Sequence, residues 1–129
     1  MTDASEASIR IVPSAAVEPV PLGDVGSQRV LLGEPRGDQS PLLMGVTSVA
    51  AGRQSPLIEH DTAEIAYVLE GSGWMVTDTS EHAFVAGDAI VIDARCWHAI
   101  RAGDNGVEMV YVFPARAVPP TRTSPVQPS

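Results

Sequence analysis

The sequence predicts an all-β domain, built as a sandwich or barrel of short strands. Segments rich in Val, Ile, Tyr and Trp recur at intervals of about eight to twelve residues, with turn residues between them. The 129 residues include 11 Gly and 11 Pro, which supply those turns. No window of about ten residues shows the apolar spacing of an amphipathic helix. No segment is repeated, so the chain is predicted to form one domain.

Ten strands are predicted, and each is bounded by residues that favour turns. The segment that follows the bend at residues 61–63 also fits a helical stripe, but its β-branched residues and Tyr67 favour a strand. The glycine-containing stretches at 70–73, 86–88 and 103–106 are predicted turns, and the last of them is predicted to be a hairpin loop. The predicted strands cover residues 8–12, 28–32, 42–50, 57–60, 64–69, 74–78, 82–85, 89–93, 97–102 and 107–113.

Both ends of the chain are predicted to be flexible. Residues 1–7 are small and acidic, and residues 114–129 hold five of the eleven prolines. Because proline disrupts sheet pairing, no strand is expected in this C-terminal tail. The predicted organisation is a flexible N-terminus over 1–7, a β-barrel domain over 8–114 and a flexible Pro-rich tail over 115–129.

The charge and the cysteine content exclude several classes of protein. Eight basic and sixteen acidic residues give a formal net charge of −8, and no basic cluster is present that could bind nucleic acid or an anionic membrane. The longest apolar runs are too short to cross a bilayer, and the first residues lack a secretory signal. A cytoplasmic protein is therefore expected. Its single cysteine, Cys96, cannot form an internal disulfide or a cysteine-rich zinc site.

Three titratable residues beside predicted turns form a candidate metal site. His60 and Glu64 would lie about 13 Å apart on one straight strand, but a reversal at residues 61–63 would bring them together. His98, at the start of another predicted strand, could then complete a set of two imidazoles and one carboxylate. This donor set suits Fe(II), and it also accepts Zn, Mn, Ni or Co.

Two motifs, G-x5-H-x-H-x3,4-E-x6-G and G-x5-P-x-G-x2-H-x3-N, fit the sequence around these residues with their spacing intact. The motif positions that the chain keeps are Gly52, His60, Glu64, Gly71, Gly87 and His98. On these motifs the chain resembles the cupin superfamily over residues 28–114. The resemblance implies a single-domain jelly-roll β-barrel, also called a double-stranded β-helix, with a bound divalent metal ion.

The chain departs from these motifs at positions that bear on the metal. Ile58 replaces the first histidine, and Arg95 replaces a glycine of the second motif. Ile58 and His60 would point to the same face of a strand, so an apolar side chain would take the place of a fourth ligand. Two interpretations stay open. Either His60, Glu64 and His98 hold the metal alone, with more positions open for substrate and O2, or the site has degenerated and binds no metal.

A mostly apolar substrate pocket is predicted beside the ligands from the alternation of side chains along the strands. Arg101 is a candidate anchor for a substrate carboxylate. Tyr111 and Cys96 are candidate chemical groups, although such residues more often serve packing. His82 is expected to be solvated at a polar hairpin edge. The predicted lining residues are Ile58, Ala66, Val68, Ile100, Met44, Val46, Met109 and Arg101.

The resemblance implies a metal-dependent enzyme that acts on a small organic molecule, and an Fe(II) dioxygenase is favoured. A non-redox isomerase, cyclase or lyase is one alternative, in which an ion such as zinc polarises a carbonyl. A barrel that binds a small ligand without catalysis is another. A homodimer is expected, with strands 8–12 and 28–32 as candidates for exchange between protomers.

Overall fold

The computed structural model describes residues 7–127. Within them the chain forms nine strands and two short 3-10 helices, Ser14–Ala16 and Glu34–Arg36. No helix in this part of the chain has the length and apolar character needed to cross a membrane. The strands are β1 (Val20–Leu22), β2 (Gly26–Leu32), β3 (Leu43–Val49), β4 (Ile58–His60), β5 (Glu64–Val76), β6 (Glu81–Val85), β7 (Ala89–Ile92), β8 (Ala99–Phe113) and β9 (Thr121–Thr123).

Seven of these strands form one antiparallel sheet, in which β5 and β8 are the long central pair. The order runs β1-β2-β3-β8-β5-β6, and β7 pairs with the first residues of β5 while β6 pairs with its last residues. β4 and β9 form a separate two-stranded sheet. The all-β jelly-roll barrel that the sequence predicts is confirmed.

β5 and β8 bend at glycines instead of ending there. Gly71 and Gly106 have φ angles of 83° and 75°, and the register of the strand pair shifts directly after Gly71. A bulge of this kind twists and redirects a strand without breaking it. The predicted turn at 70–73 and the predicted hairpin loop at 103–106 are wrong, because both stretches lie inside strands.

The two ends of the chain also differ from the prediction. Residues 8–12 form no strand, and Ile9 and Ile11 are 91% and 86% exposed, because no neighbouring strand covers them. The prediction that the tail carries no strand is wrong, since β9 pairs with β4. The three residues of β9 contain no proline, and two of them are threonines, which favour strands. Residues 1–6 of the predicted N-terminal segment and residues 128–129 of the tail lie outside the described residues.

The apolar interior positions the candidate metal site. Its largest cluster of buried side chains lies between β3, β5, β6, β7 and β8. A second cluster, formed by Leu43, Tyr111 and Phe113, borders His60, whose ring centre lies 4.9 Å from that of Phe113. The members of the largest cluster are Val49, Ala66, Val68, Met75, Phe84, Ile92, Ala102, Val107 and Met109.

Candidate metal centre

Three chain segments bring His60, Glu64 and His98 to one point. His60 ends β4, Glu64 begins β5, and His98 immediately precedes β8. The reversal at residues 61–63 separates β4 from β5, so Glu64 turns back toward His60 instead of lying further along the same strand. Glu64 Oε1 is 3.4 Å from His60 Nε2 and 3.6 Å from His98 Nε2. One ligand atom of each side chain lies within 4.8 Å of the other two, so the cluster could hold a metal ion.

The two histidines are buried and fixed by neighbouring strands. Each is 6% exposed, and their ring centres lie 5.2 Å apart. The backbone N–H of Ile58 donates to the carbonyl of His98 at 2.9 Å, and the N–H of His98 donates to the carbonyl of Ile58 at 2.8 Å. This bridge ties β4 to the start of β8, so both imidazoles are held on a rigid scaffold.

The hydrogen bonds of the histidines leave their Nε2 atoms facing Glu64. His98 Nδ1 donates to the carbonyl of Cys96 at 2.8 Å, and because a carbonyl only accepts, Nε2 of a neutral His98 keeps its lone pair. His60 Nδ1 lies 2.7 Å from Thr121 Oγ1. In the state that can ligate a metal, each neutral imidazole has its proton on Nδ1, so two imidazole lone pairs and a carboxylate converge, and all three are acceptors. A divalent cation fits this donor set, and the contacts at Nδ1 are those that orient metal-bound histidines.

Glu64 is ionised in these surroundings. Burial acts to raise the pKa of its carboxyl, but hydrogen bonds from His60 and then from His98 outweigh that effect and lower the pKa below its ordinary value. A cation that binds here takes the place of the protons in those hydrogen bonds.

Ile58 flanks the cluster as an apolar side chain. It lies directly opposite His98 in the bridge between β4 and the start of β8. Side chains at directly opposed positions of an antiparallel pair share a face, so Ile58 lies on the same side as the His98 ring. A residue that cannot ligate a metal therefore occupies the position where the motif has a histidine.

A cavity of about 350 Å³ reaches His98, and its walls are mostly apolar. His82 is exposed, as predicted, but it is also one of the few polar residues that line the cavity, which was not predicted. The available signal was alternation, because His82 shares a face of β6 with Phe84, which is buried in the core. The cavity is lined by Met75, Thr77, His82, Ala83, Phe84, Asp88, Ala89, Ile90, Val91, Ile92, Cys96 and His98.

The residues predicted to line the pocket lie elsewhere in the barrel. Ala66, Val68 and Met109 belong to the main core cluster. Other members of that cluster line the cavity, namely Met75, Phe84 and Ile92. The other predicted residues are not among those that line this cavity, and a contact of any of the eight with substrate stays a prediction. They are Ile58, Ile100, Met44, Val46 and Arg101.

Arg101 is engaged on another surface. Its Nη1 lies 2.8 Å from Glu81 Oε1, and its guanidinium carbon lies 4.7 Å from the centre of the Trp74 ring. It lines a second, more open cavity of about 430 Å³ together with Gln54 and Pro56. With its charge paired there, Arg101 does not face the metal cluster.

Tyr111 and Cys96 are both protonated near neutral pH. Burial, and then the negative charge of Glu64, raise the pKa of Tyr111 to about 12, and its hydroxyl donates to Gln28 Oε1 at 3.2 Å. Burial, and then the charges of Asp93 and Asp78, raise the pKa of the Cys96 thiol. Cys96 lines the cavity beside His98, whereas Tyr111 packs in the adjoining cluster. A chemical role for either residue stays a prediction.

Arg95 occupies a strained turn next to the site. Its φ angle is 62°, which makes it the one non-glycine with positive φ in the described part of the chain, and its N–H donates to the carbonyl of His60 at 2.8 Å. The left-handed conformation costs a residue with a side chain roughly 1–2 kcal/mol, which explains why the motif has glycine here. The turn keeps its geometry with arginine because the surrounding contacts impose it.

We expect Arg95→Gly to raise the free energy of unfolding by up to about 1 kcal/mol, because the relief of strain exceeds the roughly 0.5–1 kcal/mol that glycine adds in unfolded-chain entropy. Urea unfolding followed by circular dichroism measures the change. Arg95→Ala is the control, since it removes the same charge but keeps the Cβ atom. Equal stability of the two variants would contradict the interpretation.

Comparison with known proteins decides the family. A family model described as the cupin domain matches residues 45–113. The chain belongs to the cupin family. The match includes His60, Glu64 and His98, so the resemblance predicted from the two motifs is confirmed. No curated protein sequence is significantly similar to this cupin.

Solved structures share the fold of this cupin at low sequence identity. The polyketide cyclase RemF from Streptomyces resistomycificus is 22% identical with a TM-score of 0.77, over 90% of this chain and 85% of the cyclase. A deletion mutant of the Bacillus subtilis oxalate decarboxylase OxdC is 19% identical with a TM-score of 0.74, over 92% of this chain but 33% of the decarboxylase. KdgF from Halomonas sp. is 14% identical with a TM-score of 0.70, over 84% and 95% of the two chains. At these identities the similarity establishes the fold alone.

Proposed function

We propose that this cupin is a metal-dependent enzyme that acts on a small, largely apolar organic molecule, by Fe(II)-dependent oxygenation. The observation that carries the proposal is the cluster of two imidazole nitrogens and one carboxylate oxygen beside an apolar cavity. Two histidines and one carboxylate are the donor set of non-haem Fe(II) oxygenases, in which further coordination positions stay open. The same donors accept Zn, Mn, Ni or Co.

The protein's own residues supply the scaffold for this chemistry. His60, Glu64 and His98 would hold the ion, and Ile58 adds no further ligand beside them. Phe84, Ile90 and other apolar side chains line the cavity and favour an apolar substrate over a sugar phosphate. When bound, Fe(II) brings an organic substrate and O2 together and transfers electrons between them.

A second candidate is non-redox chemistry by an isomerase, cyclase or lyase. The similarity to the polyketide cyclase RemF, which spans most of both chains, supports this candidate. The ion would then polarise a carbonyl group, and a residue at the cavity would carry the proton. His82 is a titratable side chain in the cavity wall that could serve this purpose. A third alternative, a barrel that binds a small ligand without turnover, is an outcome of the same experiment.

Metal analysis and the binding of nitric oxide, which serves as an analogue of O2, test the oxygenase proposal without knowledge of the substrate. The protein is purified without chelator, its metals are quantified, and the metal-free form is reloaded with Fe(II) under anaerobic conditions. We expect one iron per chain and, with nitric oxide, the EPR signal of a high-spin iron-nitrosyl, which requires an open coordination position. His82→Ala, outside the cluster, is expected to bind the same amount of iron. A wild-type protein that binds no metal would overturn the proposal.

A panel of small aromatic and carbonyl compounds then separates the reaction types. Iron-dependent O2 uptake with one of them supports the oxygenase. Turnover by the zinc-loaded protein without O2 selects the non-redox enzyme. A compound that binds tightly and is recovered unchanged with every metal selects the binding module.

We also propose that two copies of this cupin associate. Of the two predicted exchange segments, residues 8–12 form no strand, whereas residues 28–32 lie in β2, which β1 pairs only as far as Gln28, so exchange through that segment stays a prediction. The exposed outer face of β5 and β7 supports association, since Ile65, Tyr67, Leu69 and Val91 are large apolar residues open to solvent there. A monomeric mass in light scattering would reject the homodimer. The cytoplasmic location and the absence of nucleic-acid and membrane partners stay predictions.

A further inference from the structure

The C-terminal strand β9 covers the strand that presents His60. The two strands pair with Thr121 opposite His60 and Thr123 opposite Ile58. Backbone hydrogen bonds extend the contact at both ends, from the Asp61 N–H to the Pro120 carbonyl at 3.2 Å and from the Ser124 N–H to the Leu57 carbonyl at 2.9 Å. The segment therefore follows the whole of β4.

Arg122 fixes the register of this pairing. Its Nε donates to Glu59 Oε1 at 2.6 Å, and its Nη2 donates to Asp61 Oδ1 at 2.6 Å. Glu59 and Asp61 are the sequence neighbours of His60, so one guanidinium on β9 binds the chain on both sides of His60. Because side chains alternate along a strand, a slip of one residue would move Thr121 to the opposite face. The two ion pairs of Arg122 therefore keep the Thr121 hydroxyl in contact with the His60 ring.

The Thr121 hydroxyl has two hydrogen-bond partners, the Pro119 carbonyl and His60 Nδ1, and these decide whether it donates or accepts at His60. A threonine hydroxyl has a single proton, and Thr121 Oγ1 lies 2.9 Å from the Pro119 carbonyl oxygen, which can only accept. With its proton directed there, Oγ1 accepts from His60 Nδ1, which is 2.7 Å away. A proton on Nδ1 leaves the lone pair of His60 on Nε2, the atom that faces Glu64.

We infer that Thr121 is a positioning residue for the metal centre, and that the C-terminal strand acts on the metal through it. The inference rests on the proposed function, because it gives the hydroxyl a role only where His60 ligates an ion. Thr121 holds the ring orientation and the proton position that ligation requires. His98 obtains the same support from the Cys96 carbonyl next to it in sequence, whereas His60 depends on a residue 61 positions away.

Zinc affinity of the full chain tests the inference. Thr121→Val keeps the shape of the side chain and removes the hydroxyl, and we expect about 10-fold to 100-fold weaker Zn(II) binding in chelator competition. Thr121→Ser keeps the hydroxyl and is expected to restore affinity to near the wild-type value. Thr123→Val makes the same substitution two residues along the same strand and is expected to bind as the wild type does.

A spectroscopic measurement on the zinc-loaded wild-type protein addresses the hydrogen bond itself. We expect the His60 Nδ1 proton to appear in NMR spectra as a slowly exchanging resonance close to Thr121, and its absence would overturn the inference even if Thr121→Val does not fold. Wild-type affinity in Thr121→Val would overturn the inference while leaving the proposed metal centre intact. If the wild-type protein binds no zinc, both the proposed function and the inference are wrong.

Discussion

Replacing Glu64 with glutamine is expected to lower the affinity for a divalent metal by more than about 100-fold. Changes to groups that only orient the ligands of a metal commonly cost 10-fold to 100-fold, and this change removes a ligand charge itself. Glutamine has nearly the same volume, so the packing around it is kept. Its amide NH2 can donate to the histidine Nε2 atoms, and these hydrogen bonds would compete with metal binding. The loss of metal affinity should therefore reflect the missing carboxylate charge and not a structural collapse of the site.

Metal content after dialysis and chelator competition measure this effect for Zn(II) and Fe(II). Glu81→Gln is the matched control, because Glu81 pairs with Arg101 on an exposed surface away from the cluster. The control is expected to bind one ion per chain with wild-type affinity. Stoichiometric metal in Glu64→Gln at the wild-type affinity would show that His60, Glu64 and His98 do not form the metal centre.

The cluster could be predicted from the sequence because two of its members are close neighbours in the chain. Asp61-Thr62-Ala63 separates two apolar strand segments and indicates a reversal, which is enough to place Glu64 near His60. His98 follows from the motif spacing and not from local structure. The structure brings these three residues together, and the fold class predicted from strand periodicity is also confirmed.

The residues that support the cluster could not be predicted, because they depend on contacts that are distant in sequence. Thr121 lies in a proline-rich tail, whose composition argues against sheet pairing. It reaches His60 because the three residues of β9 themselves contain no proline and pair with β4. His82 is exposed to solvent, as its polar neighbours predict, and its position on β6 also places it at the cavity.

The glycines show a related difference between sequence and structure. Residues that tolerate positive φ occur in turns and in bulges alike. From sequence alone, the stretches around Gly71 and Gly106 are equivalent to the stretch around Gly87. In the structure only Gly87 lies in a turn between strands, whereas the other two lie where β5 and β8 approach each other closely. Substitution of the two kinds of glycine is therefore expected to lower the free energy of unfolding by different amounts.

Gly71→Ala is expected to destabilise the fold by about 2 to 5 kcal/mol, and Gly87→Ala by about 1 to 2 kcal/mol. Both residues have positive φ, of 83° and 96°, so both variants carry the strain of a left-handed alanine, roughly 1–2 kcal/mol. A Cβ atom at Gly71 would also lie 2.0 Å from the carbonyl oxygen of Gly106, whereas nothing lies within 4 Å of one at Gly87. The crowding adds about 1–3 kcal/mol, because the backbone of β8 must shift.

Because β5 begins at Glu64 and β8 follows His98, a shift between these strands should also disturb the metal centre. Urea unfolding of the metal-free variants gives the two free energies, and Zn(II) affinity gives the effect on the site. We expect Gly87→Ala to keep its zinc affinity and Gly71→Ala to lose part of it. If both variants lose the same stability, the close approach of β5 and β8 is not what requires glycine at position 71, and left-handed strain alone accounts for both motif glycines.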